Sequence, residues 1–163
     1  MSARSDVGVR RGKEGLPLRC FATAVLALSL ATTIQGGSSA ASERTFQVIV
    51  HQDVQGTQIP RADLSAIFLK DALRWGDGRR VEPVDQSLRS PVRKDFSEAV
   101  LHKSVDGIQL LWSRKVTRGV MPPAVKSTDE EVIAHVAETE GAIGYVSAGL
   151  PLPPTVKVLD VIE

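Results

Sequence analysis

Ser90-Pro91 is where the residue types and spacing of this chain most directly offer a chemistry. A hydroxyl followed by proline is a helix start, because the serine oxygen caps a free amide and proline gives up nothing at the first helical position. The first turn of a helix presents unbonded N–H groups and the positive end of its dipole, so an anion is stabilised there. Arg89, Arg93 and Lys94 bring positive charge to the same stretch. The competing account is an N-cap worth about 1 kcal/mol beside a run of solvated charge.

Other constellations are weaker. His51, His102 and His135 are far apart, and none has the H-x-x-x-H spacing of a helical zinc site. His135 lies one turn from Glu131 and near Glu138, so a surface ion pair is the expected role. Gly141-Ala-Ile-Gly144 runs into a strand pattern instead of a helix, which removes a dinucleotide loop. Gly144-Tyr-Val-Ser147-Ala-Gly149 has the wrong spacing for a nucleophile elbow. Trp75 and Trp112 are expected in packing more than at a ligand. Without a nucleophile, metal set or paired acid and base, the reading is of a protein that is not an enzyme and needs no cofactor.

The elements around these residues follow from periodicity. Phe46, Val48 and Val50 share one side of a strand from Phe46, and Ile49 points to partial cover on the other side. Pro60 and Asp63 open a helix with Leu64, Ile67 and Phe68, and Trp75-Gly-Asp-Gly is a turn. Val81 to Val84 reads as a strand that Pro83 should confine to a sheet edge or a strand end. From Pro91 to about Leu101, Val92, Phe96, Ala99 and Val100 form an apolar helix face. Ser104 caps a helix with Val105, Ile108, Leu111, Trp112 and Val116. Thr128-Asp-Glu-Glu131 is a capping box before Val132, Ile133, Val136 and Ala137, and Gly141 supplies a left-handed stop. Ala142 to Val146 and Val156 to Ile162 complete a small mixed sheet flanked by helices, an α/β architecture. Phe68, Phe96, Trp112, Val136, Ile143 and Val158 are expected to share one core.

Composition sets the boundaries. The 163 residues carry a formal net charge of +1, with 42% hydrophobic and 24% charged residues, the balance of one soluble domain. Arg4, Arg10, Arg11, Lys13 and Arg19 make the first forty residues basic, and the remainder has a small acid excess. Such a body lacks the basic field of a nucleic-acid-binding domain. The basic stretch, the uncharged Cys20 to Ile34 and the small residues to Ala40 follow the order of a secretory signal peptide. Residues 1–40 are read as that leader and 41–163 as a single domain, periplasmic or secreted. An uncleaved anchor is the alternative, against which stands an apolar run shorter than the roughly 20 residues of a bilayer span. Cys20 is the chain's one cysteine, so its loss with the leader would exclude thiol chemistry from the mature protein.

LSAIFLKDALRW (Leu64 to Trp75), VEPVDQSLRSPVRKDF (Val81 to Phe96), LLWSRKV (Leu110 to Val116), MPP (Met121 to Pro123) and GAIGYV (Gly141 to Val146) occur in an order that resembles the phosphate-type periplasmic substrate-binding proteins, and most their short one-lobe relatives. The resemblance implies one lobe of a type 2 periplasmic-binding-protein fold, capture of phosphate or a similar oxyanion, and delivery to an ABC permease. Family members hold the anion at a Ser-Gly-Thr-Ser helix start. Here Ser90 matches the first serine, while Pro91, Val92 and Arg93 replace the other three, so one amide donor and one hydroxyl are lost. The ligand set this implies is Ser87, Arg89, Ser90 and Arg93. The other lobe, which gives half the contacts in the family, is missing from so short a chain. A second lobe would come from a homodimer or a partner. The alternative is an adaptor that contacts a membrane or sensor protein with little solute binding, and an enzyme ranks far behind both.

The leader pattern yields the first prediction. N-terminal sequencing of exported protein should find Ala41 or Ser42 first, whereas full-length chain resistant to carbonate extraction would identify an anchor.

Overall fold

The computed structural model describes residues 45–163; the leader and Cys20 lie outside the described residues. The elements are β1 (Phe46–His51), β2 (Gln58–Pro60), α1 (Arg61–Phe68), β3 (Glu82–Gln86), α2 (Pro91–Ala99), α3 (Val105–Val116), β4 (Ala124–Lys126), α4 (Asp129–Glu138), β5 (Ala142–Ser147) and β6 (Val156–Ile162). Six strands form one mixed sheet in the order β2-β6-β1-β5-β3-β4. Strand β1 is antiparallel to both neighbours, while β2 and β6, β3 and β5, and β3 and β4 run parallel. None of the described helices is long and apolar enough to cross a membrane.

Alternation along β1 divides the apolar residues between the two faces of the sheet, as its sequence implies. Phe46, Val48 and Val50 join Ile143 and Tyr145 in a core with Phe68, Phe96, Ile108 and Trp112 from the helices. Ile49, Ala142 and Val146 form a second cluster with Val132 and Val136 of α4. Gly144 makes the close approach of α4 possible: a Cβ there would come 2.7 Å from Val132 Cγ1 and 2.9 Å from Val84 Cγ1. Ring packing is densest where Phe96 stacks on Tyr145 with centroids 3.8 Å apart.

Several expectations need correction. Val136 lies across the sheet from Phe68, Phe96, Trp112 and Ile143, and Val158 is 40% exposed, so the six residues do not share one core. Of the two places expected for Pro83, a sheet edge or a strand end, the structure takes the second: β5 pairs with β3 over Glu82 and Pro83 and β4 over Val84 to Gln86, so β3 is interior and Pro83 lies at its start. Pro83 is tolerated because it stands near the strand start, where few ladder bonds are needed. Leu111 is only partly buried and Val116 is 44% exposed, so α3 anchors mainly through Ile108 and Trp112.

The helix starts are local and match their signals. Ser90 Oγ accepts the Arg93 amide at 3.3 Å, Ser104 Oγ the Gly107 amide at 3.2 Å, and Thr128 Oγ1 the Glu131 amide at 3.2 Å. Glu131 Oε2 reaches back to the Ser127 amide at 2.7 Å, one residue before the expected partner of a capping box. Gly141 has φ of +73°, and a Cβ there would lie 2.4 Å from the Arg80 carbonyl oxygen.

Phe96 is 1% exposed. Phe96→Ala should cost about 3 to 5 kcal/mol through lost burial and a residual cavity. Urea denaturation tests this, and an unchanged midpoint would contradict the packing.

Candidate functional site

Helices α2 and α4 both begin at one end of the sheet, and a groove of about 450 Å³ runs between their starts. Gln86, Ser87, Arg89, Ser90 and Val92 line the α2 side. Ser127, Thr128, Asp129, Glu130 and Ser147 line the α4 and β5 side. Three of the four expected ligand residues, Ser87, Arg89 and Ser90, therefore share one opening.

The fourth does not. Arg93 is 4% exposed and its guanidinium turns inward, with Nη1 2.6 Å from Asp85 Oδ2 and donating also to the Gln86 carbonyl. Its Nε is buried without a partner among the described residues. On a helical wheel Arg93 falls between Val100 and the buried Ser97, at the margin of the face that Val92 and Phe96 bury, so the core-facing geometry of α2 carries it inward. Arg93 is thus neither a groove ligand nor a solvated charge, and a buried arginine needs an anion inside the protein. Asp85 is that anion.

Asp85 and Tyr145 extend the pair into a network. Tyr145 donates its hydroxyl hydrogen to Asp85 Oδ1, and the Gln86 amide donates to the same carboxylate oxygen at 2.9 Å. Burial pushes the Asp85 carboxyl above its ordinary range, against the pull of Arg93. Burial, followed by the neighbouring Asp85 charge, pushes the Tyr145 hydroxyl up as well, so it stays a donor.

Gln86 connects this network to the groove. Its Nε2 donates to Asp129 Oδ1 at 2.6 Å and to the Tyr145 carbonyl at 2.9 Å, and its Oε1 accepts from Ser90 Oγ at 2.5 Å. A serine hydroxyl has one hydrogen. With that hydrogen given to Gln86, Ser90 holds the helix start but offers no donor to an anion. Pro91 has no N–H, and the Arg93 amide is bonded to Ser90 Oγ. The Val92 amide, the Ser87 hydroxyl and the exposed Arg89 guanidinium remain as donors toward an occupant. Opposite them stand the carboxylates of Asp129 and Glu130.

Sequence reasoning missed Asp85, Gln86, Asp129 and Tyr145. A partial signal existed: an arginine at the margin of the apolar arc of α2, once turned inward, requires a buried acid, and Asp85 sits in the strand that leads to that helix. His135 also departs from expectation. It makes no ion pair with Glu131 or Glu138, and burial followed by the Lys126 charge lowers its pKa. Trp75 packs against the core and donates Nε1–H to the Gly141 carbonyl at 3.0 Å. Among the described residues no group of three histidine, cysteine or acidic side chains is poised to hold a metal.

No protein-family model and no curated protein matches the sequence. Solved structures do match it. An ABC-type phosphate transport receptor from Vibrio cholerae superposes with a TM-score of 0.57 and 17% identity, over 72% of this chain and 46% of the receptor. PstS from Borrelia burgdorferi superposes with a TM-score of 0.54 and 15% identity, over 72% of this chain and 47% of that protein. The chain has the fold of these phosphate receptors and spans less than half of their length. The α/β reading and the likeness to a phosphate-type binding protein hold at the level of fold.

Removing the Arg93 charge tests the network. Arg93→Leu should cost about 3 to 5 kcal/mol near neutral pH, because Asp85 is left as an unpaired buried charge. The carboxyl, already raised above the ordinary carboxylate range in the fold, would rise further. Its ionisation costs stability as pH climbs above its unfolded value, so the loss in the variant should shrink as pH falls toward that value. A loss independent of pH, measured by denaturant titration, would show that the deficit is one of packing and not of charge.

Proposed function

We propose that the chain is an exported phosphate-type binding module, one lobe that holds phosphate or a related oxyanion in the groove between α2 and α4 for an ABC importer. The observation that carries this reading is the convergence of Ser87, Arg89 and the start of α2 on a groove, in a chain folded like half of a phosphate receptor. The reading is of a binding protein and not an enzyme, and the solved structures it resembles are transport receptors. Its place is periplasmic or secreted, after removal of the leader.

The affinity of such a site is bounded by its donors. Arg89 supplies a charge-assisted contact worth about 1.5 to 3 kcal/mol, and the Ser87 hydroxyl and Val92 amide supply about 1 kcal/mol each. Immobilising the ligand offsets part of that sum. Asp129 and Glu130 oppose a dianion across the groove. A dissociation constant of about a millimolar or weaker follows, since 1 mM corresponds to about −4 kcal/mol.

A second reading draws on a specific observation. Ser90 spends its hydrogen on Gln86 and Arg93 spends its charge on Asp85, so two of the residues implied by the family likeness are committed within the protein. That arrangement favours an adaptor, a lobe kept for contact with a permease, a sensor or a second copy of itself while solute capture has faded.

Calorimetry of the exported chain against phosphate and sulfate separates the two. Phosphate should bind in the stated range, weaken as salt rises, and be lost in the Ser87→Ala/Arg89→Ala variant with little change in stability. Submicromolar affinity in a demonstrated monomer would overturn the open-lobe account. Absence of heat even at high phosphate would establish the adaptor reading in its place.

A further inference from the structure

The outer face of α3 carries a feature that the groove does not use. Lys103, Gly107, Arg114 and Arg118 follow one another at separations of four, seven and four residues. At 3.6 residues per turn this sets them in one stripe along α3 and its flanks. Leu110 and Leu111 lie within the stripe, and Leu110 is 56% exposed. Together these residues line a shallow depression of about 490 Å³ whose described walls all come from α3 and its flanks.

Three of the four cations that line the depression have no ion-pair partner among the described residues. Lys103, Arg114 and Arg118 make no ion pair with the described residues, whereas Lys115, which also lines the depression, pairs with Asp71 at 2.6 Å and donates to the Leu69 carbonyl at 2.5 Å. The chain beyond residue 40 holds more acidic than basic groups, so a row of three free cations beside exposed leucine is a local concentration against the overall balance.

We propose that this stripe docks the protein on an anionic phospholipid surface. In helix-in-groove recognition a partner helix lays its apolar face into a hydrophobic groove. Among the described residues α3 offers one wall and nothing opposite, a shape suited to a flat layer of headgroups. The combination of cations for lipid phosphates and exposed leucine for the headgroup boundary is shared with helices that lie in the membrane interface. Ile108 and Trp112 fix the opposite side of α3 in the core, so the stripe is presented without rearrangement. Each lysine or arginine near an acidic leaflet raises partitioning about fivefold, so the three together account for about a hundredfold.

Flotation of the purified full chain with vesicles tests the proposal, independently of any phosphate binding in the groove. The chain should float with vesicles containing phosphatidylglycerol, far less with phosphatidylcholine alone, and the difference should collapse at high salt. Lys103→Gln/Arg114→Gln/Arg118→Gln should reduce partitioning onto acidic vesicles about a hundredfold, with near-ultraviolet circular dichroism unchanged. Arg114→Lys/Arg118→Lys should bind as the parent does. The leader is common to all three proteins, so their differences report on the stripe alone. Equal flotation of the neutralised variant and the parent would overturn the proposal. Retention on an acidic polypeptide without preference between the two vesicle types would overturn it too, in favour of a protein partner.

Discussion

The buried pair of Arg93 and Asp85 is the constraint on which the groove and much of the core depend. An arginine and a carboxylate removed from water cost several kcal/mol each in desolvation, and their attraction repays this only when hydrogen bonds satisfy the remaining atoms. Tyr145 and the Gln86 amide supply those bonds to Asp85, and the Gln86 carbonyl supplies one to Arg93. Because Tyr145 is held at its hydroxyl and stacked by Phe96 at its ring, the pair ties β3, β5 and α2 together at one point. The penalty for separating the partners sets the register of α2 against the sheet.

That constraint reaches the surface through Gln86. A glutamine 2% exposed must satisfy both ends of its amide within the protein. It does so by taking the Ser90 hydrogen at one end and by holding the Asp129 carboxylate at the other. The start of α2 and the start of α4 are therefore linked beneath the groove floor. The same bonds that fix the two helix starts also decide which groups are left to face an occupant. Rigidity here is gained at the expense of donors.

Much of the fold was legible in the sequence because its signals are local. The starts at Ser90, Ser104 and Thr128 each rest on a side chain that bonds an amide three residues ahead, and that bond is encoded by residue type and spacing alone. Strands β2 and β4 were not legible, since each has three residues and becomes a strand only by pairing with β6 or β3. Periodicity separated most inward from outward residues, with Val116 and Val158 misplaced, but could not tell which helix layer would cover each face, so Val136 was assigned to the wrong side. At the site, Ser87, Arg89 and Ser90 were legible from the helix-start chemistry and the family likeness. Arg93 was not, because its charge was read before its position at the margin of the apolar arc of α2.

The open rim of the groove among the described residues limits what it can do, whatever its occupant. Two charges 4 Å apart attract by about 1 kcal/mol in bulk water and about 4 kcal/mol near a protein surface of intermediate dielectric. A receptor that closes two lobes over an anion moves its contacts toward the second regime by excluding water, and each donor then acts more strongly. The groove between α2 and α4 has no opposing lobe among the described residues, so Arg89 acts in a solvated setting while Asp129 and Glu130 stand on the far rim. Adding donors to this rim would yield small increments, each screened by water and salt. Covering the rim would strengthen every contact at once, including the repulsion from the two carboxylates. A cover that tightened anion binding would therefore have to bring positive charge or N–H donors against Asp129 and Glu130, and an apolar cover alone would expel the anion.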